Sequence, residues 1–130
     1  MSQENVELTY RVHDAFNRRD LLGFLALMDD EVEAHARLAA VGGGYHGHEG
    51  VRAWWEDAIR VIDLQTRVEE VRDVGEVTVV RVRAFGEGAD SSATFEQTVW
   101  QALRWRDGKI TRWQTLRTEA EALEAVGLRE

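Results

Sequence analysis

Four histidines hold most of the acid–base potential of this 130-residue chain, which has no cysteine to serve as nucleophile, thiolate ligand or disulfide partner. An imidazole titrates near pH 6.5, so a well-placed histidine exchanges a proton at neutral pH with little tuning. His35 stands in the alternating run Glu33-Ala34-His35-Ala36-Arg37 and is the candidate general base. The competing reading makes Glu33, His35 and Arg37 one solvated strand face. His13 flanks the apolar stripe of the first helix, where it either completes an acid–base pair with His35 or makes a boundary hydrogen bond. His46 and His48 surround Gly47 like a metal-binding pair, but no third ligand accompanies them, so a turn and helix start is the better reading and no metal is expected.

Two further polar residues stand among apolar ones. Gln101 shares a strand face with Gln97, Phe95, Val99 and Trp105, and a buried amide there needs a partner from a neighbour or a ligand. Arg117 closes the face that carries Trp113 and Thr115, where it either holds a substrate carboxylate or enolate or pairs with an acid at the rim. Around these groups a lining of Val12, Phe16, Trp54 or Trp55, Val99 and Trp113 is expected. Trp54 and Trp55 are adjacent on a helix, so at most one points squarely at a cavity.

Helices must position this set from one side and strands from the other. Residues 3–19 read as a helix, with Ser2 as cap and Leu8, Val12, Ala15 and Phe16 on one face. Asp20 reads as the cap of a second helix, LLGFLALM. Residues 31–38 alternate as a strand with Val32, Ala34, Ala36 and Leu38 on its apolar side, the Gly-rich stretch 41–47 is a loop, and a third helix runs from His48 to Ile62. Strands follow at 64–74, 76–86, 93–106 and 109–117; Asp107-Gly108 marks a two-residue hairpin, and Thr118-x-x-Glu121 is a capping box opening a closing helix. Helices first and long strands afterwards predict one α+β domain over residues 1–130, with a curled sheet of four to six strands enclosing a pocket.

A formal net charge of −8 argues against nucleic acid, whose phosphates need a basic footprint. No apolar run approaches the roughly 18 residues of a membrane span, and the polar start MSQENVELTY does not resemble a secretory signal. A cytoplasmic location is the resulting expectation.

Three stretches resemble SnoaL-like proteins, a branch of the nuclear-transport-factor-2-like superfamily. They are Phe16-Asn17-Arg18-Arg19-Asp20-Leu21 with Leu27-Met28-Asp29-Asp30-Glu31-Val32, Tyr45-His46-Gly47-His48-Glu49-Gly50-Val51-Arg52 leading into Trp54-Trp55, and Arg106-Asp107-Gly108-Lys109-Ile110 leading to Ala122 through Leu128. The resemblance runs from end to end. It implies a cone-shaped α+β fold, N-terminal helices packed on a curved, mostly antiparallel sheet around one pocket. The scaffold hosts polyketide cyclases, ketosteroid isomerases, dehydratases, epoxide hydrolases and binding domains, so fold alone does not fix function. Against the ketosteroid isomerases, the proton-abstracting carboxylate falls on His35, or on Ala36 with a one-residue shift; the helix tyrosine falls on Val12 and the protonated aspartate on Gln101. That departure makes isomerase activity of that kind an unsuitable expectation, and the epoxide hydrolases' Asp-Arg-Asp arrangement has no counterpart.

The resulting expectation is a cofactor-independent acid–base enzyme acting on a compact, largely apolar carbonyl or hydroxyl compound, with His35 as base supported by His13, Gln101 and Arg117. The alternative is a non-catalytic ligand-binding or association domain. Trp100, Ala102, Ile110 and Leu116 share the outer sheet face by strict alternation, which predicts a homodimer through that face.

Overall fold

A computed structural model describes residues 2–35, 44–87 and 94–127. Three parts of the sequence reading lie outside them: the strand end 36–38, most of the two loops, and Leu128.

Helix α1 (Ser2–Asn17) begins at the residue expected to cap it. Its buried face is the anticipated Leu8, Val12, Ala15 and Phe16, widened by Asn5, Thr9 and His13. Tyr10, on the same helix, is half exposed. Helix α2 (Leu21–Ala26) is capped by Asp20, whose carboxylate accepts the Gly23 N–H at 2.9 Å. The helix stops two residues short of the reading LLGFLALM. The Ile110 N–H reaches back to the Leu27 carbonyl at 2.8 Å, and strand β1 (Met28–His35) starts there.

Strand β2 (Tyr45–His46) pairs with β1 and leads into helix α3 (Gly47–Asp57). Gly47 makes that turn at φ 70°, a conformation glycine adopts without the usual Cβ penalty. The final turn of the expected helix, Ala58–Ile62, is π-helical and ends at Asp63 in the left-handed region, φ 52°. Wider π-turns occur mostly as single insertions, frequently at functional sites. Here the turn delivers Leu64 to the interior and Asp63 to the surface, where Asp63 binds Arg19 at 2.6 Å.

Strands β3 (Gln65–Val74), β4 (Val77–Glu87), β5 (Thr94–Arg106) and β6 (Lys109–Leu116) complete a six-stranded sheet of order β2-β1-β6-β5-β4-β3. Every neighbouring pair is antiparallel except β1 with β6. Asp107 and Gly108 both have positive φ, 53° and 78°, as the type I′ hairpin requires. Register breaks in β1–β6, β3–β4 and β5–β6 mark bulges, which bend strands and add twist. The sheet therefore curls without closing, and α1, α2 and α3 fill its concave side.

One bulge corrects the outer-face reading. Trp105 pairs with Ile110, but Arg104 pairs with Arg112, so Thr111 is an extra residue on β6. Strict alternation put Ile110 outside with Leu116; the bulge reverses it, and Ile110 is buried in the main core. Part of the outward apolar face is covered by the chain itself. Helix α4 (Glu119–Ala125) lays Ala122 and Leu123 on Val77, Val79 and Ala102, flanked by Trp100 and Leu116. Its cap is the expected one: Thr118 Oγ1 accepts the Glu121 N–H at 3.1 Å, while Glu121 accepts the Arg117 N–H at 3.0 Å. Helix α4 thus covers part of the face on which the homodimer expectation rested, while Trp100 and Leu116 stay partly exposed.

Candidate functional site

The cone encloses a narrow cavity. Helix α1 contributes Val12, His13 and Phe16, while Phe24, Met28 and Trp54 come from the next elements. The sheet side contributes Leu64 just before β3, Thr66 from β3, Val82 and Ala84 from β4, Val99, Gln101 and Leu103 from β5, and Ile110, Trp113 and Thr115 from β6. Side chains on one strand face recur every second residue, so the series Val99-Gln101-Leu103 and Val82-Ala84 must line the same space. The remaining free volume is about 40 Å³, room for roughly two or three waters.

Aromatic rings account for that tightness. Trp54 meets Trp113 edge to face at 4.6 Å, Phe24 meets Trp113 at 6.0 Å, and Phe16 contacts Phe24 at 5.9 Å and Trp54 at 5.4 Å. Trp55 is buried behind this wall, edge-on to Phe16 at 5.1 Å, and does not line the cavity. Of the two adjacent tryptophans, only Trp54 does.

The polar part of the lining is one connected chain. His13 and Gln101, each only 8% exposed, meet through Nε2 and Oε1 at 2.8 Å. The other ring nitrogen of His13, Nδ1, lies 2.8 Å from Thr66 Oγ1. Asn17 holds Thr66 from outside: its Nδ2 donates to the Thr66 carbonyl at 2.6 Å, and its Oδ1 accepts the Thr66 N–H at 2.9 Å. On the far wall the Trp113 indole N–H donates to Thr115 Oγ1 at 3.2 Å. Gln101 and Thr115 are direct cross-strand partners.

This environment fixes the charge of His13. Burial strips hydration from the imidazolium and pushes the pKa down to about 4, and the hydrogen bond to Gln101 offsets only part of that. His13 is consequently neutral at pH 7. With Gln101 Oε1 as the acceptor, the His13 proton sits on Nε2 and Nδ1 accepts from the Thr66 hydroxyl.

The other expected site residues lie elsewhere. Val32 and Ala34 point into the core, so the two-residue strand period turns His35 to the opposite sheet face. There it pairs in register with Gln114, its Nε2 lies 3.5 Å from Glu33, and its ring packs against Gly44. Arg117 follows the end of β6, exposed at the start of the α4 cap. His46 contacts Glu31 at 3.2 Å, while His48 is 3.0 Å from the Met28 carbonyl, so the two imidazoles serve separate local contacts. The structure thus brings together His13, Gln101, Val12, Phe16, Trp54, Val99 and Trp113, and separates His35, Arg117 and Trp55 from them. Thr115 lies on the Trp113 face, as its alternation implies, although no role was read for it. Thr66 and Asn17 escaped the sequence reading, because they act through a helix-to-strand contact that spacing does not encode.

A profile of the SnoaL-like domain matches residues 10–113. The chain belongs to the SnoaL-like family. Among solved structures, a nuclear-transport-factor-2-like protein of unknown function from Burkholderia pseudomallei K96243 is 22% identical, with 95% of this chain and 98% of that one covered and a TM-score of 0.78. A protein with a ketosteroid isomerase-like fold from Catenulispora acidiphila, crystallised with trimethylamine, is 17% identical over 94% of this chain and 93% of that one, TM-score 0.77. TerC, co-crystallised with polyporic acid, is 23% identical over 93% and 96%, TM-score 0.77. At these identities the likeness carries the fold. No curated protein sequence matches the chain. Among the described residues, no helix is long and apolar enough to cross a membrane.

Proposed function

We propose that this SnoaL-like chain binds a compact, neutral, largely apolar carbonyl or hydroxyl compound in its cone. In this reading His13 is the acid–base group of an isomerase-, cyclase- or dehydratase-type reaction, and Gln101 orients the ligand. One observation carries it: a buried, neutral His13–Gln101 pair set in an apolar and aromatic wall, with no charged side chain among the described lining residues. A ligand carboxylate or ammonium would lose its hydration there without a countercharge, whereas a neutral oxygen needs only one hydrogen bond. Two fold neighbours crystallised with small molecules support occupancy of this kind of fold.

The non-catalytic alternative has its own support. Both His13 nitrogens are already engaged, and a base with a pKa near 4 drives proton abstraction weakly. Titration of small ketones, alcohols and matched carboxylates, followed by fluorescence of the cavity tryptophans, tests the shared part. Saturable binding of the neutral compounds, weakened about tenfold or more in Gln101→Leu, is the expected result. Carboxylates binding equally well would overturn it. Turnover of a bound ketone that His13→Asn slows by two or more orders of magnitude separates catalysis from binding.

A further inference from the structure

The His13–Gln101 pair is the inner end of a longer chain, and its outer end decides what the inner end offers. A glutamine amide presents an acceptor at one end and a donor at the other. Whichever end binds His13, the opposite end is left for the cavity. With the proton on His13 Nε2, the Gln101 oxygen is taken and the amide N–H groups remain. Those N–H groups have no acceptor among the described residues. With the proton on Nδ1, the amide must turn, leaving its oxygen for the cavity. The tautomer of one buried histidine therefore sets the hydrogen-bonding sense of the site.

That tautomer depends on the Thr66 hydroxyl, which has a single proton and two candidate acceptors. His13 Nδ1 is 2.8 Å away and Asn17 Oδ1 is 3.4 Å away. Asn17 Oδ1 is already occupied by the Thr66 backbone N–H, at 2.9 Å, and 3.4 Å is a poor O–H···O distance. The hydroxyl proton accordingly goes to His13 Nδ1, which forces the Nε2–H form. The Asn17 amide grips the backbone N–H and C=O of Thr66, on the edge strand of the sheet, and so holds the residue whose hydroxyl reaches His13 Nδ1.

We propose that Asn17 is a positioning residue that fixes the His13 tautomer through Thr66, so that Gln101 presents its N–H groups and the cavity prefers ligands offering a hydrogen-bond acceptor, such as a ketone, over ligands offering only a donor. The selectivity part rests on the small-molecule reading of the cavity; the tautomer part does not.

Two probes of matched size read the selectivity: cyclopentanone, which only accepts, and pyrrole, whose N–H only donates. The wild-type chain should favour cyclopentanone by about tenfold or more, since a mismatched probe leaves a buried polar group unpaired. Nitrogen-15 shifts of the His13 ring should report the Nε2–H form at pH 7. Thr66→Val removes the hydroxyl at nearly constant shape. It should yield mixed tautomers and bring the two affinities within about twofold. Asn17→Ala should do the same, because losing its grip on the Thr66 backbone lets the hydroxyl leave His13 Nδ1, and the double variant should add little, since both act on one contact. Should Asn17→Ala fail to fold, Asn17→Ser provides the comparison with a side chain too short to grip both ends of the Thr66 peptide. A wild-type Nδ1–H tautomer would overturn the proposal, as would an Asn17 variant that keeps both tautomer and preference. Failure of both probes to bind the wild-type chain would sink the cavity reading and its selectivity, while the tautomer shifts would still decide the role of Asn17.

Discussion

Acidification should weaken the fold through His13 before the carboxylates take over. Its pKa falls from an ordinary 6.5 to about 4 on burial, so between those values the unfolded chain binds a proton that the folded chain refuses. Stability then rises with pH across this window, because the unfolded state holds more protons. The contribution is complete above pH 6.5 and is lost as pH falls towards 4. At about 1.4 kcal/mol per pKa unit, lowering the pH from 7 to 4.5 should cost about 2.5 kcal/mol from this group alone. That is a large share of the ~5–15 kcal/mol that holds a typical domain. Urea unfolding at several pH values between 7 and 4.5, on the wild-type chain and His13→Gln, isolates the effect. The variant should be weaker at pH 7, because it breaks the contacts with Gln101 and Thr66. Its deficit should then shrink by about 2.5 kcal/mol on acidification. His35, His46 and His48 are common to both proteins and drop out of the difference. Parallel stability curves would refute the reasoning, since they would mean that His13 titrates alike in the folded and unfolded chain.

Three other outcomes follow from the same structure. Thr78→Val should cost about 1–3 kcal/mol in urea unfolding, because the buried Thr78 Oγ1 accepts the Trp105 indole N–H at 2.9 Å and bonds Thr9 Oγ1 at 2.9 Å. Gly108→Ala should lower stability by about 1–2 kcal/mol through its φ of 78°, with little effect on ligand binding. Thr118→Ala should cost about 1 kcal/mol and loosen α4, seen as faster amide exchange in Ala122 and Leu123 and in the sheet residues beneath them.

The fold was legible where one residue type has one physical use. Asp20 before an apolar run, Asp107-Gly108 between alternating strands and Thr118-x-x-Glu121 each satisfy backbone groups in a way few other residues can, and each appears in the structure as read. Apolar spacing placed Val12, Phe16, Val99 and Trp113 in the cavity wall for a similar reason, because burial follows period. What periodicity misses is any residue that breaks it. Thr111 adds one residue to β6 and reverses Ile110, while the π-turn after α3 adds one residue to a helix and re-aims Asp63 and Leu64.

His35, expected in the cone, lies on the opposite sheet face for a different reason. Its match to the isomerases' carboxylate position allows a shift of one residue, and on a strand such a shift reverses every side chain. The strand itself contained the correction: Val32 and Ala34 are apolar and must face the core, so an odd-numbered neighbour such as His35 faces away. Ala36, the alternative under the shifted alignment, has no proton to exchange. Among the described lining residues the ionisable one is therefore His13, whose helical position puts it above the apolar stripe and opposite Gln101. The two polar residues that spacing had set on apolar faces from different ends of the chain turn out to be each other's partners. A buried amide and a buried imidazole each need a partner, and in a single small core the cheapest arrangement is for each to satisfy the other.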